Sequence, residues 1–419
     1  MSGGLLVIMG SGETAPTMVK PHRAIFDRVG DRPAVLLDTP YGFQSNADDI
    51  STRAVGYFGA SVGRAVGVVS WRREPETALE RERALTALRD AGWIFAGPGS
   101  PTYSLRQWRA GPIPQVLVDK LTGGGVVLFA SAAALTLGSH TVPVYEIYKA
   151  GLDPHWEPGL DLFAEVTGLP AVVIPHYDNA EGGHHDTRYC YLGAGRLAAM
   201  EADLPDEAFI VGVDEHTGVL FDLAARTVSV VGNGRLTLRH QGRSVGYGAG
   251  TVLDLYALPD LARGGEPDPA ATPPAPGPPA GAEGAIGSEP ATSLRGAADQ
   301  IDGAFAVSLE RRDVDGCVAA VLELEETLLD WSADTLTSEE GDHARGTLRA
   351  MVVRLGALAE AGARDPRTVL EPFVAELLDV RSQARRARDW TTADRIRDRL
   401  EAAGVEVRDT PDGVAWDLR

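Results

Sequence analysis

The chain has 419 residues, 44% of them hydrophobic, enough for two or three domains and a large buried core. Its two cysteines, Cys190 and Cys317, exclude a disulfide framework and a cysteine-rich metal knuckle. The net charge of −20 divides unevenly. Residues 1–263 carry 22 basic and 29 acidic side chains, whereas residues 264–419 carry 17 basic, none of them lysine, and 30 acidic, which argues against a broad nucleic-acid face in the second half. No apolar run reaches transmembrane length and the first residues lack the basic start of a signal peptide, so the expectation is a cytoplasmic protein without membrane association.

In chain order, Leu5–Met9 reads as a first strand delivering the turn Gly10-Ser11-Gly12-Glu13-Thr14 to a helix around Met18–Val29. The turn departs from G-x-G-x-x-G spacing and does not support a dinucleotide site. Ala34–Leu37 is a second strand, and Tyr41 and Phe43 in the loop after it are candidates for a substrate wall or members of a solvated turn. Ala65–Ser70 is a third strand, followed by a charged helix over Glu74–Asp90. Trp93–Ala96 is a fourth and ends in Gly97-Pro98-Gly99-Ser100-Pro101-Thr102, a loop rich in exposed backbone N–H groups.

Val126–Ala130 reads as a buried parallel strand that stops at Ser131 and gives way to Ala132-Ala133-Ala134-Leu135. This is either a nucleophile elbow, with the serine hydroxyl exposed on a tight turn, or an ordinary junction with Ser131 as a helix N-cap. In the first case the oxyanion donors are the backbone N–H groups of Ala132 and Gly99, because Pro98 has none to give. Glu146 lies fifteen residues past Ser131, and His176 lies forty-five past it, just beyond the strand Ala171–Ile174. Serine, acid and histidine in that order, each leaving a strand end or nearby loop, are what a triad on an α/β sheet requires; a lone histidine is otherwise more often structural.

The run Glu181–Arg188 holds His184, His185 and Asp186 close to Asp178, ligand types for a zinc-like ion, but adjacent histidines cannot easily face one ion together. The preferred reading assigns no metal and has the run cap a helix over Thr187–Asp203 and wall the cleft, with Arg188 holding a substrate carboxylate. Asp214-Glu215-His216-Thr217 follows the strand Phe209–Val213 and either borders the site or only turns the chain. Val228–Val231 and Leu236–Arg239 flank Gly232-Asn233-Gly234 as an expected hairpin.

Taken together, Gly97–Thr102, Ser131 and above all Pro175-His176-Tyr177-Asp178-Asn179-Ala180 make the region from Met1 to about Leu255 resemble the serine peptidase family that includes dipeptidase E and cyanophycinase. The resemblance implies a class I glutamine amidotransferase-like fold and a triad of Ser131, His176 and Glu146. It places Asn179 beside the histidine as a substrate-contact candidate. The chain departs from the family at the elbow, where Ala-Ser-Ala-Ala-Ala stands in place of Gly-x-Ser-Ala-Gly-Ala.

Gly264–Ser293 contains eight prolines and no periodic apolar pattern, the composition of an extended tether. Beyond it, Ala298–Leu309, Asp313–Asp330, Glu339–Ala361, Pro366–Arg388 and Thr391–Ala403 carry helical spacing. Val405–Arg408 and Ala415–Leu418 are expected to pair through Pro411-Asp412-Gly413. The basic Ala-Arg helix, the run Ala393-Asp394-Arg395-Ile396-Arg397-Asp398 and the Asp409-Thr410-Pro411 hairpin with Trp416 resemble the C-terminal end of cysteinyl-tRNA synthetases, most strongly over Arg381–Arg419. The His-x-Gly-His and Lys-Met-Ser-Lys-Ser signatures of the adenylation domain are missing from the chain, so tRNA charging is not expected of it.

The expected fold is therefore a doubly wound, mostly parallel α/β domain over 1–260, a linker over 261–296, a helical bundle over 297–380, and helices with a β-hairpin over 381–419. The expected activity is serine hydrolysis of a small peptide or acylated amino acid without a cofactor. The alternative is a weakened hydrolase domain serving binding or regulation, with Arg381, Arg385, Arg386 and Arg388 contacting tRNA or a protein.

Overall fold

The computed structural model describes residues 3–180, 185–266, 293–332, 338–362, 366–410 and 413–418. His184 and most of the expected tether lie outside the described residues. The chain forms two compact units, one comprising 1–294 with 328–339 and the other 295–327 with 340–419.

The first unit is built on two sheets. β1 (Leu5–Met9), β2 (Ala34–Leu37), β3 (Gly67–Val69), β4 (Trp93–Ala96) and β5 (Val126–Ala130) are parallel, in the order β1-β5-β4-β2-β3. Every residue of β1, β2, β4 and β5 is buried, which is why these strands read as continuous apolar runs rather than alternating ones. After the short pair β6 (His140–Thr141) and β7 (Glu157–Pro158) come β8 (Ala171–Ile174) and β9 (Phe209–Val213), parallel neighbours in a second sheet. β10 (Thr217–Asp222) returns to the first sheet antiparallel to β1, with β11 (Thr227–Gly232) and β14 (Val252–Asp254) beyond it. β12 (Arg235–His240) and β13 (Arg243–Gly248) extend the second sheet from β9.

The expected hairpin between β11 and β12 does not form. Both strands exist, but β11 pairs with β10 and β14, whereas β12 pairs with β9 and β13. The intervening turn carries the chain from one sheet to the other. Its glycine, Gly232, has φ +97, Asn233 donates its N–H to the His216 carbonyl, and Gly234 donates to Thr217 Oγ1. These tertiary bonds overrule the local turn signal.

From Leu294 onward the chain is mainly helical, over Leu294–Glu310, Val314–Asp330, Ser338–Ala361, Pro366–Arg386 and Trp390–Ala402. A terminal hairpin joins β15 (Val405–Thr410) to β16 (Gly413–Leu418), with Val405 opposite Leu418 and Val407 opposite Trp416. Val374 and Leu378 on one helix and Leu400 on the next bury against Val405 and Val407, and Gly404 at φ +85 supplies the left-handed stop between helix and strand.

The expected four-arginine contact patch is not available as such. Arg381 is buried and makes a bidentate ion pair with Asp409 at 2.9 and 3.0 Å, and Arg385 reaches the same carboxylate at 2.8 Å. Two of the four arginines thus pin the hairpin to the helix, leaving Arg386 and Arg388 on the exposed side. Hydrogen bonding to Arg381 pulls the Asp409 carboxyl down to about 2, so the pair supports the fold at neutral pH. That support is lost as pH falls below the ordinary carboxylate range toward 2. Asp409→Asn is expected to weaken this module by about 1–2 kcal/mol, less than a fully buried pair because Asp409 is half exposed. Faster amide exchange over Val405–Leu418 in the full-length protein at pH 7 would show it; unchanged exchange there would refute the role.

Candidate active site

The C-terminal end of β5 meets the loop ends of β8 and β9. Ser131 leaves β5 at φ +49, in the left-handed region that non-glycine residues rarely adopt, and opens the helix Ser131–Leu135. That is an elbow, not an N-cap: no side-chain cap bond forms at this helix start, and Ser131 Oγ instead lies 2.9 Å from His176 Nε2. His176, also at φ +49, follows β8 and is almost wholly buried.

The carboxylate that meets His176 is not the expected one. His176 Nδ1 lies 2.8 Å from Glu215 Oε1, whereas Glu146 Oε1 accepts a 2.7 Å hydrogen bond from Thr102 Oγ1. Glu146 sits on the short helical segment Tyr145–Lys149, tied into a chain of hydroxyls from Thr102 to Ser100. Glu215 reaches the imidazole because it lies on the three-residue crossing from β9 in one sheet to β10 in the other. Burial alone would raise its pKa, but the hydrogen bond and charge of His176, with a 3.2 Å bond from Asn179 Nδ2, hold it below the usual value. Glu215 is therefore an anion at neutral pH, able to fix the imidazole tautomer and balance an imidazolium.

Asn179 is buried, and its amide serves Glu215 rather than an open pocket. Tyr41, expected in a substrate wall, is instead buried with its hydroxyl on Ser51, so its ring belongs to the core. Phe43 is exposed and packs on Tyr103. Arg188 is exposed and its guanidinium is already held by Asp186 at 2.8 Å on two nitrogens, which leaves its expected role as a carboxylate clamp without support.

Gly99 has φ +143, and a side chain there would come within 2.0 Å of the Pro40 carbonyl oxygen, so the loop after β4 is built for glycine. It is fastened to the elbow by the N–H of Ala133, which donates to the Gly97 carbonyl at 3.2 Å. Ala132 lies in the first turn of its helix, where an N–H has no acceptor within the helix. Both expected oxyanion donors thus stand on elements linked beside Ser131. Among the described residues no group of three or more His, Cys, Asp or Glu side chains is arranged to hold a metal ion, and no helix is long and apolar enough to cross a membrane.

Residues 368–416 match the family model for the cysteinyl-tRNA ligase anticodon binding domain. The chain is 32% identical over 158 residues to a cysteine–tRNA ligase from Bifidobacterium longum, covering 32% of this chain and 29% of the ligase. With a cysteine–tRNA ligase from a Nocardioides species it is 55% identical over 51 residues, 12% of this chain and 11% of that protein. It thus spans less than a third of the length of these curated relatives. Among solved structures it is similar to a peptidase from an acI-B1 Actinobacterium at 18% identity and a TM-score of 0.49, covering 60% of this chain and 97% of the other.

The acids around Glu215 are not equivalent. Burial and the neighbouring Asp178 carboxylate push Asp214 up to about 7, although its Oδ2 accepts the Arg235 N–H at 2.9 Å. A carboxyl raised in the folded state contributes stability below its unfolded value, near 4, that is lost as pH rises toward 7. Asp214→Asn keeps the acceptor and removes the charge. It is expected to stabilise the protein at pH 8 by roughly 2–4 kcal/mol and to change nothing near pH 4. Equal denaturation midpoints for the two proteins at pH 8 would refute this assignment.

Proposed function

We propose that this protein is a serine hydrolase of peptidase or amidase type, acting on a small peptide or acylated amino acid through Ser131, His176 and Glu215. The observation that carries the reading is the continuous hydrogen-bonded line from Ser131 Oγ through His176 to Glu215, at 2.9 and 2.8 Å. In this reading Ser131 Oγ attacks the carbonyl carbon while His176 Nε2 takes its proton. Glu215 holds the opposite ring nitrogen, and the N–H groups of Ala132 and Gly99 receive the oxyanion. His176 then returns the proton to the leaving amine, and water repeats the sequence on the acyl-enzyme. The chain's own groups supply every proton transfer.

A fluorophosphonate probe is expected to label the wild type and not Ser131→Ala. An unlabelled wild type, or equal labelling of both, sinks the proposal. Glu215→Gln is expected to slow labelling by roughly 10³–10⁴-fold, the scale known for loss of a tautomer-fixing carboxylate. Glu146→Gln is expected to stay within about tenfold, the scale of one altered hydrogen bond. The reverse ranking would restore Glu146 as the acid.

A second reading concerns the C-terminal module and is favoured by the match over residues 368–416. In it, the exposed Arg386 and Arg388 contact tRNA, the other two arginines being engaged with Asp409. Filter binding of tRNA to the full chain should weaken on raising salt and on changing both exposed arginines to glutamine. No binding at low salt removes RNA from the account.

A further inference from the structure

Beside the triad, the turn Gly10–Thr14 after β1 touches both halves of the site. Its Ser11 carbonyl accepts the N–H of His216, next to Glu215. Its Gly12 packs against the His216 ring so closely that a side chain would come within 2.2 Å of Nδ1. Its third contact is the side chain of Glu13, which is 3% exposed. Glu13 Oε1 lies 3.1 Å from where a side chain on Gly97 would begin, and Oε2 is buried with no hydrogen-bond partner among the described residues. Gly97 in turn holds the elbow through Ala133 and begins the Gly97–Gly99 loop.

We propose that Glu13 is a positioning residue of the hydrolytic site: its buried carboxyl sits beneath Gly97 and sets the donor loop against the elbow, so that the N–H groups of Gly99 and Ala132 converge on one oxyanion. The proposal rests on the hydrolase reading above. A carboxyl in this place serves that purpose only as the neutral acid, because an anion there would repel the oxyanion it helps to house. The surroundings favour the acid form. Burial raises the Glu13 pKa, against weaker opposition from its own backbone N–H and the charge of His176. The other titratable neighbour, His22, is held neutral by burial, down to about 4. Its Nε2–H donates to the Glu13 carbonyl at 2.6 Å and anchors the turn from the far side.

The test compares fluorophosphonate labelling rates across pH for wild type, Glu13→Gln and Glu13→Met, with thermal midpoints measured alongside. Glutamine reproduces the neutral acid's polarity and is expected to label within about threefold of wild type, with the acid limb of the profile unmoved. Methionine fills the same space without polarity and is expected to label at least about tenfold more slowly while folded, toward the loss seen when an oxyanion donor is misplaced. A folded Glu13→Met protein that labels like wild type shows packing alone and overturns the proposal. So does an acid limb displaced to lower pH in Glu13→Gln, which would make Glu13 an ionised partner of His176. If methionine prevents folding, Glu13→Asp decides: slow labelling supports the role, and wild-type labelling overturns it. Failure of the wild type itself to label defeats the hydrolase reading, and is distinct from every outcome that removes only Glu13.

Discussion

The site depends on holding two sheet edges in register. Ser131 leaves the eight-stranded sheet and His176 the four-stranded one, yet their side chains must stay within hydrogen-bond reach. The segment Asp214–His216 supplies the constraint, because it is where the chain leaves β9 and enters β10. Among the bonds that fasten it are the Glu215 N–H to Asp178 Oδ1, the His216 N–H to the Ser11 carbonyl, the Asn233 N–H to the His216 carbonyl, and the reciprocal pair between Asp214 and Arg235. The carboxylate that holds His176 is thus placed by the same backbone that joins the sheets.

Holding that geometry stores strain. Ser131, His176 and His216 all have φ near +50, a conformation worth about 1–3 kcal/mol each for residues with side chains. Tyr189, Cys190 and Tyr191 follow one another in the same region, and the N–H groups of Cys190 and Tyr189 clasp the carbonyls of His176 and Tyr177. The surrounding strands, buried along their whole length, supply the apolar burial that offsets such strain. Charge is sorted with equal economy. Of the neighbouring acids Asp178, Asp214 and Glu215, only the one facing His176 has its pKa lowered, while burial raises the other two.

Much of this was legible in the sequence because it is local. The strand boundaries at Leu5–Met9, Trp93–Ala96 and Val126–Ala130 follow from apolar runs stopped by glycine or serine. Ser131 stands out because it follows such a run at once, and His176 because only Pro175 separates it from one. The acid did not, since Glu146 satisfies the expected order and spacing as well as Glu215 satisfies the geometry; only the path of the chain between sheets separates them. The same crossing defeated the reading of Gly232–Gly234 as a hairpin. The arginine row failed differently: its pairing with Asp409 spans 28 residues and needs the hairpin's register to be known. Glu13 carried a faint signal, an acid in a glycine turn directly after the first strand, but its burial is a tertiary fact.

The alanine-rich elbow is where the chain departs from the family that its first unit resembles, and the structure gives a physical account of the difference. Glycine is required where a Cβ would strike backbone, as at Gly10, 2.0 Å from the Asp214 carbonyl oxygen, and at Gly99. Ala133 meets no such demand. It lies within the helix, its methyl is buried in the main core cluster, and its N–H still reaches Gly97. The strained position is Ser131 itself, and the next residues only have to begin a helix, which alanine does better than glycine by about 1 kcal/mol. Alanines after the serine therefore stiffen the turn that presents the hydroxyl and leave its geometry intact.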